Sequence, residues 1–166
     1  MKKILSIATV FMASLGLPAM AQDKTNVPAL SPLLTQYYDI KDALIGGNAG
    51  AAAAKAGEFV KTVSGVDMKS LPAAVHHVFM PLEEKLIADA KFIAGSTDIS
   101  QQREHFKTFS DNFYLLAKGV SLTRQPVYQE YCPMKKAYWL SSSSAIKNPY
   151  YGSQMLTCGK VSDTIK

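Results

Sequence analysis

Cys132-Pro133-Met134 and Met155-Leu156-Thr157-Cys158 place the chain's two cysteines each within three residues of a methionine. Thiolates and thioethers are soft, polarisable donors that select Cu(I) over hard, oxygen-seeking cations. Cys132 precedes a proline and is biased towards an extended backbone, where positions i and i+2 face one side, so Cys132 and Met134 can point together. Met155 and Cys158, three apart, share one side of a helical turn. Each pair can form half of a soft-metal site, with Cys132, Met134, Met155 and Cys158 as candidate ligands. His105 lies at the edge of an apolar helical stripe and is a fifth candidate, able to reach the tail. The rival reading of the cysteines is a Cys132–Cys158 disulfide, worth roughly 3–4 kcal/mol in the chain-entropy model.

Other chemistry finds little support. Ser141 to Ser144 have no strand-to-helix elbow and no neighbouring base. Glu83 and Glu84 are adjacent on a helix and splay apart, unlike a paired acid and base. Haem, zinc and phosphate-loop spacings are absent. The chain is therefore expected not to be an enzyme. His76 and His77 diverge by about 100° on a helix, so only one of them could join Met80 at a single ion.

The N-terminus reads as a secretory signal peptide over residues 1–21. Lys2 and Lys3 supply the charge, Ile4 to Leu17 the apolar stretch, and Ala19-Met20-Ala21 the cleavage pattern. The stretch is short for a membrane anchor, which needs about 20 apolar residues. A periplasmic protein without stable membrane insertion is the expectation. Cleavage would leave about 145 residues, enough for one domain over 22–166, and would lower the net charge from +5 to +3. The lysines are scattered with no basic-aromatic platform, which argues against a nucleic-acid partner.

Four helical stripes must position the sulfurs. They are Leu30, Leu33, Leu34, Tyr37, Ile40 and Leu44; then Ala52, Ala56, Phe59 and Val63; then Val75, Val78, Phe79, Leu82, Leu86, Ala90 and Ile93; then Phe106, Phe109, Phe113, Leu116 and Val120. Gly46-Gly47, Gly65 and Gly95 end helices, and Asn48 and Asp98 are caps. Ser70 is expected to open the third helix, and Pro81 to kink or break it. Short connectors predict a mainly α, up-down four-helix bundle over about 29–121. A small, irregular, partly β appendage follows over about 122–166, with Val127–Cys132 and Ala137–Leu140 as strands.

Tyr131-Cys132-Pro133-Met134, Ala137-Tyr138-Trp139-Leu140-Ser141, Ile146-Lys147-Asn148-Pro149-Tyr150-Tyr151-Gly152 and Met155-Leu156-Thr157-Cys158-Gly159 carry a resemblance. So, more loosely, do Phe79 to Lys85 and Gln102 to Phe106. The chain resembles a family of exported bacterial domains of unknown function. They occur alone or fused to periplasmic adaptors of copper/silver efflux pumps of the resistance-nodulation-division class. The resemblance implies a helical fold, copper tolerance, an efflux adaptor or other envelope protein as partner, and Cys132, Met134, Met155 and Cys158 as ligands. Relatives commonly have a longer link between the Cys-Pro-Met and Ala-Tyr-Trp-Leu elements. Here only Lys135-Lys136 intervenes, and two lysines would disfavour a nearby cation.

Overall fold

The computed structural model describes residues 27–166, and the proposed leader lies outside them. Helix α1 (Ser31–Ile45) accepts Pro32 in its first turn, where the missing N–H had no partner to lose. Gly47, at φ +68°, turns the chain towards α2 (Ala49–Ser64), whose Ala51 N–H is capped by Asn48 Oδ1 at 2.9 Å. Ala52 and Ala56 are fully buried beside Phe59 and Val63, and these four form the packing face of α2.

The expected start of the third helix is corrected, and of the kink or break expected at Pro81 the break does not occur. The helix does not open at Ser70: Met68–Ser70 form a separate 3-10 turn capped by Asp67, and α3 spans Ala73–Gly95. Leu71 sits before Pro72 and is held extended at ψ 136°, which stops the helix reaching back to Ser70. Nor does Pro81 break α3, which runs through it as one element. Pro81 is exposed, so water can take the carbonyl its ring leaves unbonded.

Helix α4 (Ile99–Gly119) begins at Asp98, which accepts the Ser100 N–H at 2.8 Å. Its aromatic stripe is buried as expected, but Gln102 and Ser110 are buried with it. Gln102 Nε2 donates to the carbonyls of Ala49, Ile93 and Ser96 at 2.9, 3.1 and 2.7 Å, clamping the α3–α4 corner onto α2. Each helix packs on the next in sequence, giving the up-down bundle. Tyr37 joins its two ends. The ring stacks on Phe106, Phe109 and Phe113 with centroids 5.4, 5.7 and 4.6 Å away. Its hydroxyl shares a 2.5 Å hydrogen bond with Ser110 Oγ and accepts the Leu140 N–H at 2.9 Å.

The appendage is a three-stranded antiparallel sheet in the order β2-β1-β3, with β1 at Val127–Cys132, β2 at Ala137–Ser141 and β3 at Lys160–Ile165. Strand β2 lies against α4. Strand β3 is tied to the same helix by Asp163, whose Oδ2 accepts from Tyr114 Oη at 2.7 Å and Lys118 Nζ at 3.1 Å. Those donors, Tyr114 foremost, pull its carboxyl down to about 2. Among the described residues, no helix is long and apolar enough to cross a membrane.

One buried group works against this packing. Glu130 on β1 is fully buried opposite Trp139, and neither carboxylate oxygen has a hydrogen-bond partner among the described residues. Burial pushes its carboxyl up to about 7, although the buried Lys41 and the nearby Trp139 indole ease the cost. Unfolded, the same group titrates near 4.5, so the folded state holds its proton more tightly. Below pH 4.5 the group costs nothing by its charge; as pH rises through 7 the folded state loses stability, a change on the order of 3 kcal/mol. Glu130→Gln should flatten that slope in urea titrations between pH 4.5 and 8. Matching slopes for the two proteins would show that the carboxyl is not the cause.

Candidate metal centre

The β1–β2 hairpin delivers the first sulfur pair. Cys132 ends β1 opposite Ala137, and Pro133 to Lys136 form the turn, closed by Lys136 at φ +52°. The short Lys135-Lys136 link is thus a tight hairpin. Cys132 is buried, with its Sγ accepting the Lys135 N–H at 3.4 Å. Lys135 Nζ is itself bonded to Glu104 on α4, which pins the turn to the bundle.

The second pair sits on the turn after a 3-10 segment at Gly152–Gln154. The Cys158 N–H bonds the Met155 carbonyl at 3.0 Å, closing that turn. Asn148 braces it from beneath: the Asn148 N–H donates to the Leu156 carbonyl and Nδ2 to the Cys158 carbonyl, both at 2.8 Å. Its Oδ1 accepts the Tyr150 N–H at 2.8 Å. In the sequence this brace has a single signal, an asparagine beside a proline in an aromatic stretch. Gly159 completes the approach. A Cβ there would stand 2.8 Å from Trp139 Cη2 and 3.2 Å from the Tyr131 carbonyl, so only glycine lets the turn lie this close to the sheet.

The outcome is direct contact between the thiols. Cys132 Sγ and Cys158 Sγ are 3.7 Å apart, and both are free. A disulfide needs about 2.05 Å, so the expected alternative is not the state seen here. Partial burial and the adjacent Cys132 sulfur push the Cys158 thiol above the usual cysteine range. A backbone hydrogen bond from Met134 works the other way by favouring the thiolate. Both methionine backbones therefore touch Cys158, while their side chains are exposed, Met134 at 65% and Met155 at 36%. Three rotatable bonds leave each thioether free to swing.

The spacing can be tested against a metal. Two sulfurs on a tetrahedral ion with bonds of about 2.3 Å stand about 3.8 Å apart, whereas a linear pair stands about 4.6 Å apart. The observed 3.7 Å suits two corners of a tetrahedron, leaving the rest to other donors. Among the described residues, no three His, Cys, Asp or Glu side chains converge as metal ligands. Met134 and Met155, on the same two turns as the cysteines, carry further soft donor atoms.

His105 is placed elsewhere. Its ring stacks on Phe92 at 3.4 Å and its Nδ1 lies 3.4 Å from Asp89 Oδ1, both partners on α3. The neighbouring Glu104, not His105, bonds the hairpin turn, through Lys135. His76 and His77 diverge as expected, with rings 6.3 Å apart and nearly perpendicular.

Fold and site together define a four-helix bundle bearing a small sheet that presents a reduced thiol pair. The chain belongs to the family described as Protein of unknown function (DUF3347), whose model matches residues 33–125. That match covers nearly all of the bundle and stops just before β1, so the sulfur-bearing sheet lies beyond it. No curated protein and no solved structure matches the chain.

Proposed function

We propose that this protein is an exported, periplasmic carrier of one soft metal ion, Cu(I) above all, serving sequestration or delivery to an efflux adaptor without catalytic turnover. The observation that carries the reading is the 3.7 Å contact between Cys132 Sγ and Cys158 Sγ. These two would bind as thiolates and Met134 and Met155 as mobile thioethers; His105, engaged on α3, is left out. The lysines no longer count against a cation. Two thiolates with one monovalent ion carry a net charge of −1, which nearby ammonium groups stabilise. The N-terminal leader pattern and the resemblance to domains attached to efflux adaptors support the compartment and the partner.

In competitive dialysis of the reduced protein, one Cu(I) or Ag(I) per chain should be retained and Mg(II) and Ca(II) lost. Equal retention of all four would defeat the reading. The same contact also favours a second reading, a disulfide-stapled interaction module of the cell envelope that holds no metal. Closing the gap to a bond takes a shift of only about 1.7 Å. Thiol titration of protein purified without reductant separates them: no free thiol, an intact fold and no copper uptake would select the staple.

A further inference from the structure

From Tyr131 to Lys160 the chain has four lysines and no aspartate or glutamate. Lys135 is neutralised by Glu104, but Lys136, Lys147 and Lys160 are exposed and have no ion-pair partner among the described residues. All three lie on the chain segments that carry or brace the thiols. Lys136 adjoins Ala137, which pairs with Cys132; Lys160 follows Cys158 by two residues; Lys147 adjoins Asn148, which bonds the Cys158 carbonyl. Among them three large apolar side chains stand exposed on the two turns, Met134, Met155 and Leu156. An apolar centre with a single-sign rim is an electrostatically addressed docking face.

We infer that this face docks an acidic protein segment carrying its own methionine or cysteine donors. A second copy of this chain is disfavoured because the lysine rims would repel. An anionic lipid surface would satisfy the lysines but offers no soft donor to the thiol pair. The small apolar area suits a transient encounter rather than a lasting complex. The purpose of the face, handing on Cu(I), rests on the carrier reading above. In the hand-off, donor sulfurs of the partner replace those of this chain, the metal keeps its oxidation state, and the two vacated thiolates take up two protons, released by the partner's thiols where cysteines receive the ion and supplied by the buffer acid where methionines do.

Docking is read without metal, so its failure is distinct from failure of copper retention. The probe is a labelled peptide rich in Asp and Glu around a Met-x-Met pair, compared by fluorescence anisotropy with the same peptide bearing Lys for each acid. The reduced, metal-free protein should bind the acidic peptide at least about tenfold more tightly at low salt. High salt should erase the difference. The triple variant Lys136→Glu, Lys147→Glu, Lys160→Glu should reverse it while leaving the helical circular dichroism unchanged. Equal affinity for both peptides overturns the inference, as does an unchanged preference in the triple variant. Tighter association with phosphatidylglycerol vesicles than with the acidic peptide overturns it too.

Discussion

Replacing Cys132 and Cys158 together by serine should lower Cu(I) affinity by about a thousandfold or more, because a hydroxyl is neither soft nor ionised at neutral pH. Met134→Leu or Met155→Leu alone should cost about tenfold, since a mobile thioether completes the site without anchoring it. The serine at 132 enters a buried position, where an unpaired hydroxyl costs about 1–3 kcal/mol. The alanine pair, Cys132→Ala with Cys158→Ala, separates metal loss from loss of fold. Both double variants should keep the wild-type helical spectrum and lose copper to the same extent, measured by competition with a Cu(I) chelator. Wild-type affinity in either would remove the thiols from the site.

Trp139→Ala should be the most damaging change within the sheet. The side chain is 1% exposed, meets Tyr150 edge-on at 6.0 Å between centroids, and fills the space that Gly159 leaves open. Truncating a buried aromatic of this size costs about 3–5 kcal/mol. The loss falls where the Cys158 turn leans on the sheet, so thiol labelling should accelerate by at least tenfold. Urea unfolding and the rate of thiol modification measure the two effects. A cost under about 1 kcal/mol with unchanged labelling would mean that Trp139 does not hold the turn in place.

The helices were legible because burial on a helix repeats every 3.6 residues, and that period is written in the apolar positions. Tyr37, Phe59, Leu86 and Phe113 all lie at the centre of the stripes that predict them. Caps were legible too, since Asn48 and Asp98 bond N–H groups only two or three residues away. Strand β3 was not. Lys160 to Ser162 are exposed, and the strand is held by Asp163 meeting Tyr114 from 49 residues earlier. Glu130, fully buried on the middle strand, has no local pattern that announces its burial. His105 and Glu104 show the limit most clearly. One residue of difference is about 100° around a helix, and the rotation of α4 relative to the hairpin follows from packing, not from local pattern. The thiols lie 26 residues apart in sequence, and their meeting depends on Asn148 and Gly159, neither of which is a ligand type.

X-ray absorption at the copper edge, on reduced protein loaded with one equivalent of Cu(I), tests the sulfur nest most directly. The expected result is a shell of sulfur alone at about 2.3 Å, with three or four scatterers that fall in number when Met134 and Met155 are both replaced by leucine. A shell dominated by nitrogen or oxygen, or one unchanged when both cysteines are removed, would contradict it.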